Sequence, residues 1–259
     1  MILVQPQTIT IVSDPIGDTP VFDDSSGVFD DAGGVFDDAF SVTSGSANYM
    51  FDDYLNTQTE RADAIEVYIK FNNCDRVAFF NVDATDIDLE LTDDDTDMVV
   101  QTKNVDLSLG GGEYHQWVVE SLYIYADATL KISINKTGST AKCGLCRIGP
   151  STYIGTTQYG AKFGFVDYSI KDTNSFGQTY LNQGNWAKAP EITTVIDKSI
   201  VDAVYEDLAA ARGTMVIIAG NEDYTDYEVL QIFGVIEDWK IRMDNPTIAW
   251  VDLTIRGAI

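Results

Sequence analysis

The run Cys143-Gly144-Leu145-Cys146-Arg147-Ile148-Gly149-Pro150 separates two stretches of chain that follow different folding rules. Upstream of it, apolar residues alternate with polar ones in short segments, the period of half-buried β-strands. Ile65, Val67, Ile69 and Phe71 alternate with Glu66, Tyr68 and Lys70, and Ile87, Leu89 and Leu91 alternate with Asp88 and Glu90. Residues 77–82 are a short apolar run suited to a strand covered on both faces. Residues 117–119, residues 122–125 and the set Leu130, Ile132 and Ile134 read as three more strands, with an acidic turn at Asp93-Asp94-Asp95-Thr96-Asp97. Frequent turns without a helical period predict an antiparallel β-sandwich over residues 60–149. Because the pattern breaks at the cysteine run, that segment is expected to fold alone.

Downstream, residues 159–169 and 187–197 read as long strands joined by the polar stretch 171–184. Residues 198–212 carry the helical period: Ile200, Val201, Val204, Leu208 and Ala211 share one face, and Asp202, Glu206 and Asp207 fall elsewhere. Gly213 is a natural stop. Strands follow at 215–219, at 229–243 with a bend or bulge near Gly234, and at 247–255, with a turn at Asn245-Pro246. The order ββαβββ predicts an α+β domain over 150–259, one helix packed on a β-sheet.

The first 59 residues form a third unit, an acidic, loop-rich arm. It holds a seven-residue repeat, Val21-Phe22-Asp23-Asp24, Val28-Phe29-Asp30-Asp31 and Val35-Phe36-Asp37-Asp38, with an echo at Met50-Phe51-Asp52-Asp53. Gly27, Gly33, Gly34 and the paired Asp oppose a helix, and odd spacing would put successive Phe on opposite faces of a strand. A chain so acidic resists collapsing on itself, while exposed Phe rings are unfavourable in water. Both facts are met if Phe22, Phe29, Phe36 and Phe51 are protein-interface residues that dock on a neighbouring subunit. Calcium is the alternative, because adjacent carboxylates suit a hard cation, but the acidic spacing of an EF-hand loop is missing.

The formal charge is −25, and residues 1–60 hold eleven acids with no Lys or Arg. A field of that sign repels phosphate backbones, which argues against nucleic acid as a partner. No apolar run approaches the roughly 20 residues that cross a bilayer, and the N-terminus has no basic, then apolar, signal pattern. The expectation is therefore a chain made in a cytoplasm, without a membrane partner. No Walker loop, Gly-x-Gly-x-x-Gly segment or His-Glu-x-x-His is present, and the single histidine, His115, has no nucleophile motif beside it. Cys74, Cys143, Cys146 and His115 would make a Cys3His zinc set, but buried thiols acting as small hydrophobes are the simpler reading. Tyr114, Trp117, Tyr123 and Tyr125 supply aromatics of the kind that stack on sugar rings. No catalytic residue, cofactor or metal ligand is assigned.

The cysteine run continues through Thr157-Gln158-Tyr159-Gly160-Ala161 into Phe165-Val166-Asp167-Tyr168-Ser169. With this junction, residues 60–259 resemble tail proteins of tailed bacteriophages, in which a galactose-binding-like β-sandwich of jelly-roll type precedes a C-terminal tail-protein domain. In that likeness the strands at 76–82 and 85–91 belong to the jelly roll, and a late strand closes it just before the cysteine run. The resemblance implies a mainly β, non-enzymatic structural component of a phage tail, placed at the baseplate or tail tip. It would assemble through its C-terminal domain with other tail and baseplate proteins and with copies of itself, after synthesis in the bacterial host cytoplasm. The alternative is a carbohydrate-binding module protein that attaches to host-surface carbohydrate.

Overall fold

The computed structural model describes residues 1–7, 10–13, 47–52, 54–55, 57–108, 116–173, 176–220 and 228–258. In chain order the strands are β1 (Ile2–Val4), β2 (Thr10–Ser13), β3 (Thr59–Phe71), β4 (Arg76–Asp83), β5 (Asp86–Asp93), β6 (Met98–Asp106), β7 (Val118–Ser121) and β8 (Ala128–Gly149). They continue as β9 (Ser151–Tyr153), β10 (Thr156–Thr157), β11 (Phe165–Asp167), β12 (Ile170–Thr173), β13 (Thr179–Asn182), β14 (Trp186–Lys188) and β15 (Glu191–Asp197). Helix α1 (Val201–Ala210) is followed by β16 (Val216–Ala219), β17 (Gln231–Arg242) and β18 (Ile248–Gly257).

Strand β8 organises the first half. It runs for 22 residues, and its two ends have different partners: residues 128–135 pair with β5, whereas residues 142–149 pair with β4. β3 runs antiparallel along β8 from Ala128 to Cys143, with the register broken between Ala62 and Asp63. Opposite that break lies Gly138, whose φ of 75° suits glycine. One apolar cluster joins the two wings made in this way: Ile65, Val67, Ile87, Leu89, Ile132 and Ile134 on one side, Val77, Phe79, Val118, Cys146 and Ile148 on the other. The result is a mainly antiparallel β-sandwich.

The second sheet has the order β10-β15-β18-β17-β16-β1-β9. The stripe read from the sequence lands as expected: Val204 and Leu208 of α1 are buried with Ile192, Val216, Ile218, Val251 and Ile255. A third cluster lies between the two sheets, where Ala78, Phe80, Val119 and Leu145 meet Ile2, Val4, Ile217, Ala219 and Phe233.

Period-two geometry explains how one strand serves two cores. Along β4, Val77 and Phe79 enter the sandwich core while Ala78 and Phe80 enter the inter-sheet core. Along β16, Val216 and Ile218 face the helix core while Ile217 and Ala219 face the sandwich. The layers are thus wing, wing, sheet and helix. The apolar run at 77–82 is covered on both faces, as its composition implied. The alternation inverts at Asn81, which adopts a φ of 56°, so that Phe80 and Val82 enter different cores. Gly144 lies beside it, where an added Cβ would come within 2.9 Å of both the Asn81 Cβ and the Leu55 carbonyl oxygen.

Several elements differ from the sequence reading. The cysteine run is the second half of β8 and not a junction after it, because its alternating apolar residues continue the strand. Residues 122–125 form no strand; Leu122 N–H instead donates to the Asp75 carbonyl at 2.8 Å. β6 carries no apolar alternation, since of its residues only Val105 is buried. The stretch 171–184 contains the β12–β13 hairpin, whose residues are all exposed and so leave no period of burial. β17 bulges between Ile236 and Asp238. Gly234 instead allows a close approach, because a Cβ there would sit 2.1 Å from the Arg256 carbonyl oxygen. Finally, the segment 1–59 supplies strands to both sheets: β1 lies between β16 and β9, and β2 pairs with β3.

Asp75 secures the passage from the sandwich to the second sheet. Its carboxylate accepts from the Ser151 amide and the Ser151 hydroxyl, both at 2.6 Å, and its side chain is only 19% exposed. Asp75→Ala is expected to cost about 1–3 kcal/mol in denaturant unfolding, because two donors lose a charged acceptor. An unchanged midpoint would contradict this role.

Candidate binding face

The outer face of the first wing is built by the polar members of three alternating strands, β3, β8 and β5, and is continued by β6. Because their apolar members fill the core, Glu66 and Tyr68 of β3, Lys131, Ser133 and Asn135 of β8, and Asp86, Asp88 and Glu90 of β5 fall on the opposite side, and pairing places Thr102 and Asn104 of β6 beside Glu90 and Asp88. Register aligns them in rows across the sheet: Glu66, Ser133, Asp88 and Asn104 in one, Tyr68, Lys131, Glu90 and Thr102 in the next. Most of these residues line a shallow concavity of about 550 Å³.

The polar groups there are held in place before any ligand arrives. Asn135 Nδ2 donates to Asp86 Oδ1 at 2.7 Å and Asp88 Oδ2 at 2.9 Å, and Asn104 Nδ2 donates to Asp88 Oδ1 at 2.7 Å. Lys131 lies 3.6 Å from Glu66 and 5.8 Å from the centre of the Tyr68 ring. The Glu66 carboxylate, with Tyr68 and Glu90 adding to it, holds the Lys131 ammonium above the usual lysine range. Both Asn135 N–H groups are taken up by Asp86 and Asp88, so the face offers carboxylate acceptors beside the Lys131 ammonium, the Thr102 hydroxyl and the second Asn104 N–H, with carboxylates in excess.

The residues singled out from the sequence lie elsewhere. Phe51 is half-buried against the core of its own sandwich, and its carbonyl accepts from Arg147 Nη1 at 2.6 Å. Phe22, Phe29, Phe36, Tyr114 and His115 lie outside the described residues. Cys74, Cys143 and Cys146 are free and buried in the sandwich core. Burial pushes the Cys74 thiol up to about 11 and Cys143 up to about 12, and it raises Cys146 well above the ordinary value. Such thiols do not ionise readily. Among the described residues no group of three or more His, Cys, Asp or Glu side chains is arranged to hold a metal ion, and no helix is long and apolar enough to cross a membrane.

Of the aromatics, Tyr123 is exposed, Tyr125 packs against the sandwich core, and Trp117 is part of the contact between the sheets. There it meets Phe80 edge-on at 4.8 Å, and Lys188 Nζ lies 3.4 Å from its ring centre. None of the aromatics singled out in the sequence lines the concavity of the first wing. Its carboxylates, Glu66, Asp88 and Glu90, are the polar partners of the alternating strands, and in the sequence they read only as solvent-facing.

Lys188 carries a pH prediction. Burial pushes its ammonium down to about 8, partly offset by the Glu228 carboxylate. In the unfolded chain lysine titrates near 10.4. Between these values the unfolded state binds more protons, so stability rises with pH; below about 8 both states are protonated and the cost of burial is present in full. Unfolding free energy is expected to rise between pH 8 and 10 more steeply in the wild type than in Lys188→Met. Identical slopes would contradict the placement of Lys188.

No protein-family model matches this sequence, and no curated protein matches it. Among solved structures, the lectin domain of lectinolysin complexed with Lewis B antigen is similar at 13% identity, over 43% of this chain and 88% of that one, with a TM-score of 0.34. Chitosan-binding module 1 of a chitosanase/glucanase from Paenibacillus sp. IK-5 is similar at 13% identity, over 41% and 86%, with a TM-score of 0.30. CBM32-1 from a family 31 glycoside hydrolase of Clostridium perfringens is similar at 14% identity, over 41% and 86%, with a TM-score of 0.28. At TM-scores of this size the likeness decides nothing about what this chain binds.

Proposed function

We propose that this chain is a non-enzymatic attachment protein whose first wing binds carbohydrate. The observation that carries the reading is the concave face at Glu66, Asp88, Glu90, Lys131 and Asn135, where carboxylates held in place by Asn104 and Asn135 stand beside the Lys131 ammonium. A hydroxyl is both donor and acceptor, so a surface offering both kinds of group matches it. Groups already held by neighbours lose little freedom on binding. Because carboxylates outnumber the ammonium group, the face favours neutral sugars over uronic or sialic acids. The test is a glycan array followed by calorimetry on the best neutral hit. Asp88→Ala and Glu90→Ala are each expected to weaken binding at least about tenfold, the scale of one charged hydrogen bond. Binding that is unchanged in both variants would remove the reading.

A second observation favours an assembly role. The β11–β14 arm leaves several large apolar side chains in water, which marks a contact surface. Both roles meet in the setting that the resemblance implies, a bacteriophage tail. There the C-terminal sheet would anchor the chain at the baseplate or tail tip among other tail proteins, and the sandwich would face the host surface. Synthesis would take place in the host cytoplasm. Immunogold labelling of assembled virions tests this setting: label at the tail tip is expected, and tails without label would overturn it.

A further inference from the structure

The edge strand β6 is held from the side that the candidate face does not show. It pairs with β5 alone, and of its residues only Val105 is buried. Alternation puts Gln101, Lys103 and Val105 on the side opposite Thr102 and Asn104. Lys103 Nζ donates to Glu120 Oε2 at 2.7 Å and to Ser121 Oγ at 2.9 Å. Gln101 Nε2 donates to the Ser121 carbonyl at 3.2 Å, and Gln101 Oε1 accepts from the Tyr123 amide at 2.8 Å. β7, which carries Glu120 and Ser121, is the edge strand of the other wing and pairs with β4 alone. Among the described residues no ladder joins β6 to β7, so these four bonds span the open edge of the sandwich.

We propose that Gln101 and Lys103 are positioning residues of the binding face: by tying β6 to the second wing they fix Thr102 and Asn104 where a ligand meets them. A strand with a ladder on one side and little buried area opens at low cost. If β6 shifted, Asp88 would lose the Asn104 donor at 2.7 Å, and Glu90 would lose Thr102 as its neighbour. The Lys103 and Glu120 side chains are 29% and 14% exposed, so the pair is partly shielded from water and stronger than one on an open surface. Lys103 borders the concavity as well, but Glu120 and Ser121 turn its ammonium toward the second wing. The seam also accounts for the missing apolar period of β6, since two of its inner positions bridge instead of packing. This inference rests on the carbohydrate reading above.

The test is the double variant Gln101→Met, Glu120→Leu in the full chain, which changes no residue lining the concavity. Without ligand, amide exchange at residues 101–105 is expected to quicken at least about tenfold, while residues 65–69 and 130–134 keep the wild-type rate. The Asn104 side-chain amide resonances should shift, and the best neutral glycan should bind at least about tenfold more weakly. Lys103→Arg, which keeps a donor for Glu120, should retain wild-type exchange and affinity. Should the double variant lose the wild-type circular dichroism spectrum, Glu120→Gln, neutral and of similar size, carries the same test. Exchange that stays at the wild-type rate, or that quickens across β3 and β8 alike, overturns the positioning role. A wild type that binds no glycan removes the carbohydrate reading and this role with it; a variant that binds as tightly as the wild type removes this role alone.

Discussion

Leu208→Asp is expected to remove about 4–6 kcal/mol of stability, near the whole stability of an ordinary domain. Leu208 is fully buried on the inner face of α1, in one cluster with Val204, Ile218 and Val251. Replacing it loses the packing of a buried leucine, about 2–5 kcal/mol, and places an unpaired carboxylate in an apolar layer. The helix is short, ten residues, so it depends on this contact more than on its own propensity. Urea unfolding checks the prediction, and a loss below about 1 kcal/mol would mean that the helix does not pack on the sheet.

The second large effect lies between the sheets. Phe80 is fully buried, with Trp117 at 4.8 Å and Phe233 at 5.9 Å between ring centres. Phe80→Ala is expected to cost about 3–5 kcal/mol. It should lower one cooperative transition as a whole, because Phe80 belongs to a layer shared by both sheets. Two separate transitions, of which only one moves, would contradict a shared core. The same geometry bears on the expectation that residues 60–149 fold alone. Cut there, the sandwich loses β2 and exposes Ala78, Phe80, Val119 and Leu145. Such a fragment should associate or bind hydrophobic dye, which a free-standing sandwich would not.

How far the sequence revealed this structure depends on where burial left a period. The alternating strands at 65–71 and 87–91 and the helical stripe at 200–211 each bury one regular set of positions, the run at 77–82 is buried on both faces, and each appears where the pattern placed it. β6, β12 and β13 bury almost nothing, so alternation had nothing to mark. β1 is three residues long; no local pattern says that Ile2–Val4 lies beside β16, because that pairing is set by sequence-distant partners. The cysteine run looked like a boundary because β8 changes partners along its length, from β5 to β4. The candidate binding face was the least legible part, since only the register brings Asn104, Lys131 and Asn135 beside Asp88 and Glu90.

Carbohydrate binding at this face is tested most directly by amide shifts in the full-length chain, followed while a neutral glycan from the array is added. Saturable shifts concentrated at Glu66, Asp88, Glu90, Lys131 and Asn135, and lost in Asp88→Ala, are the expected result. Shifts mapping to another surface, or no saturable shift with any glycan of the array, would contradict it.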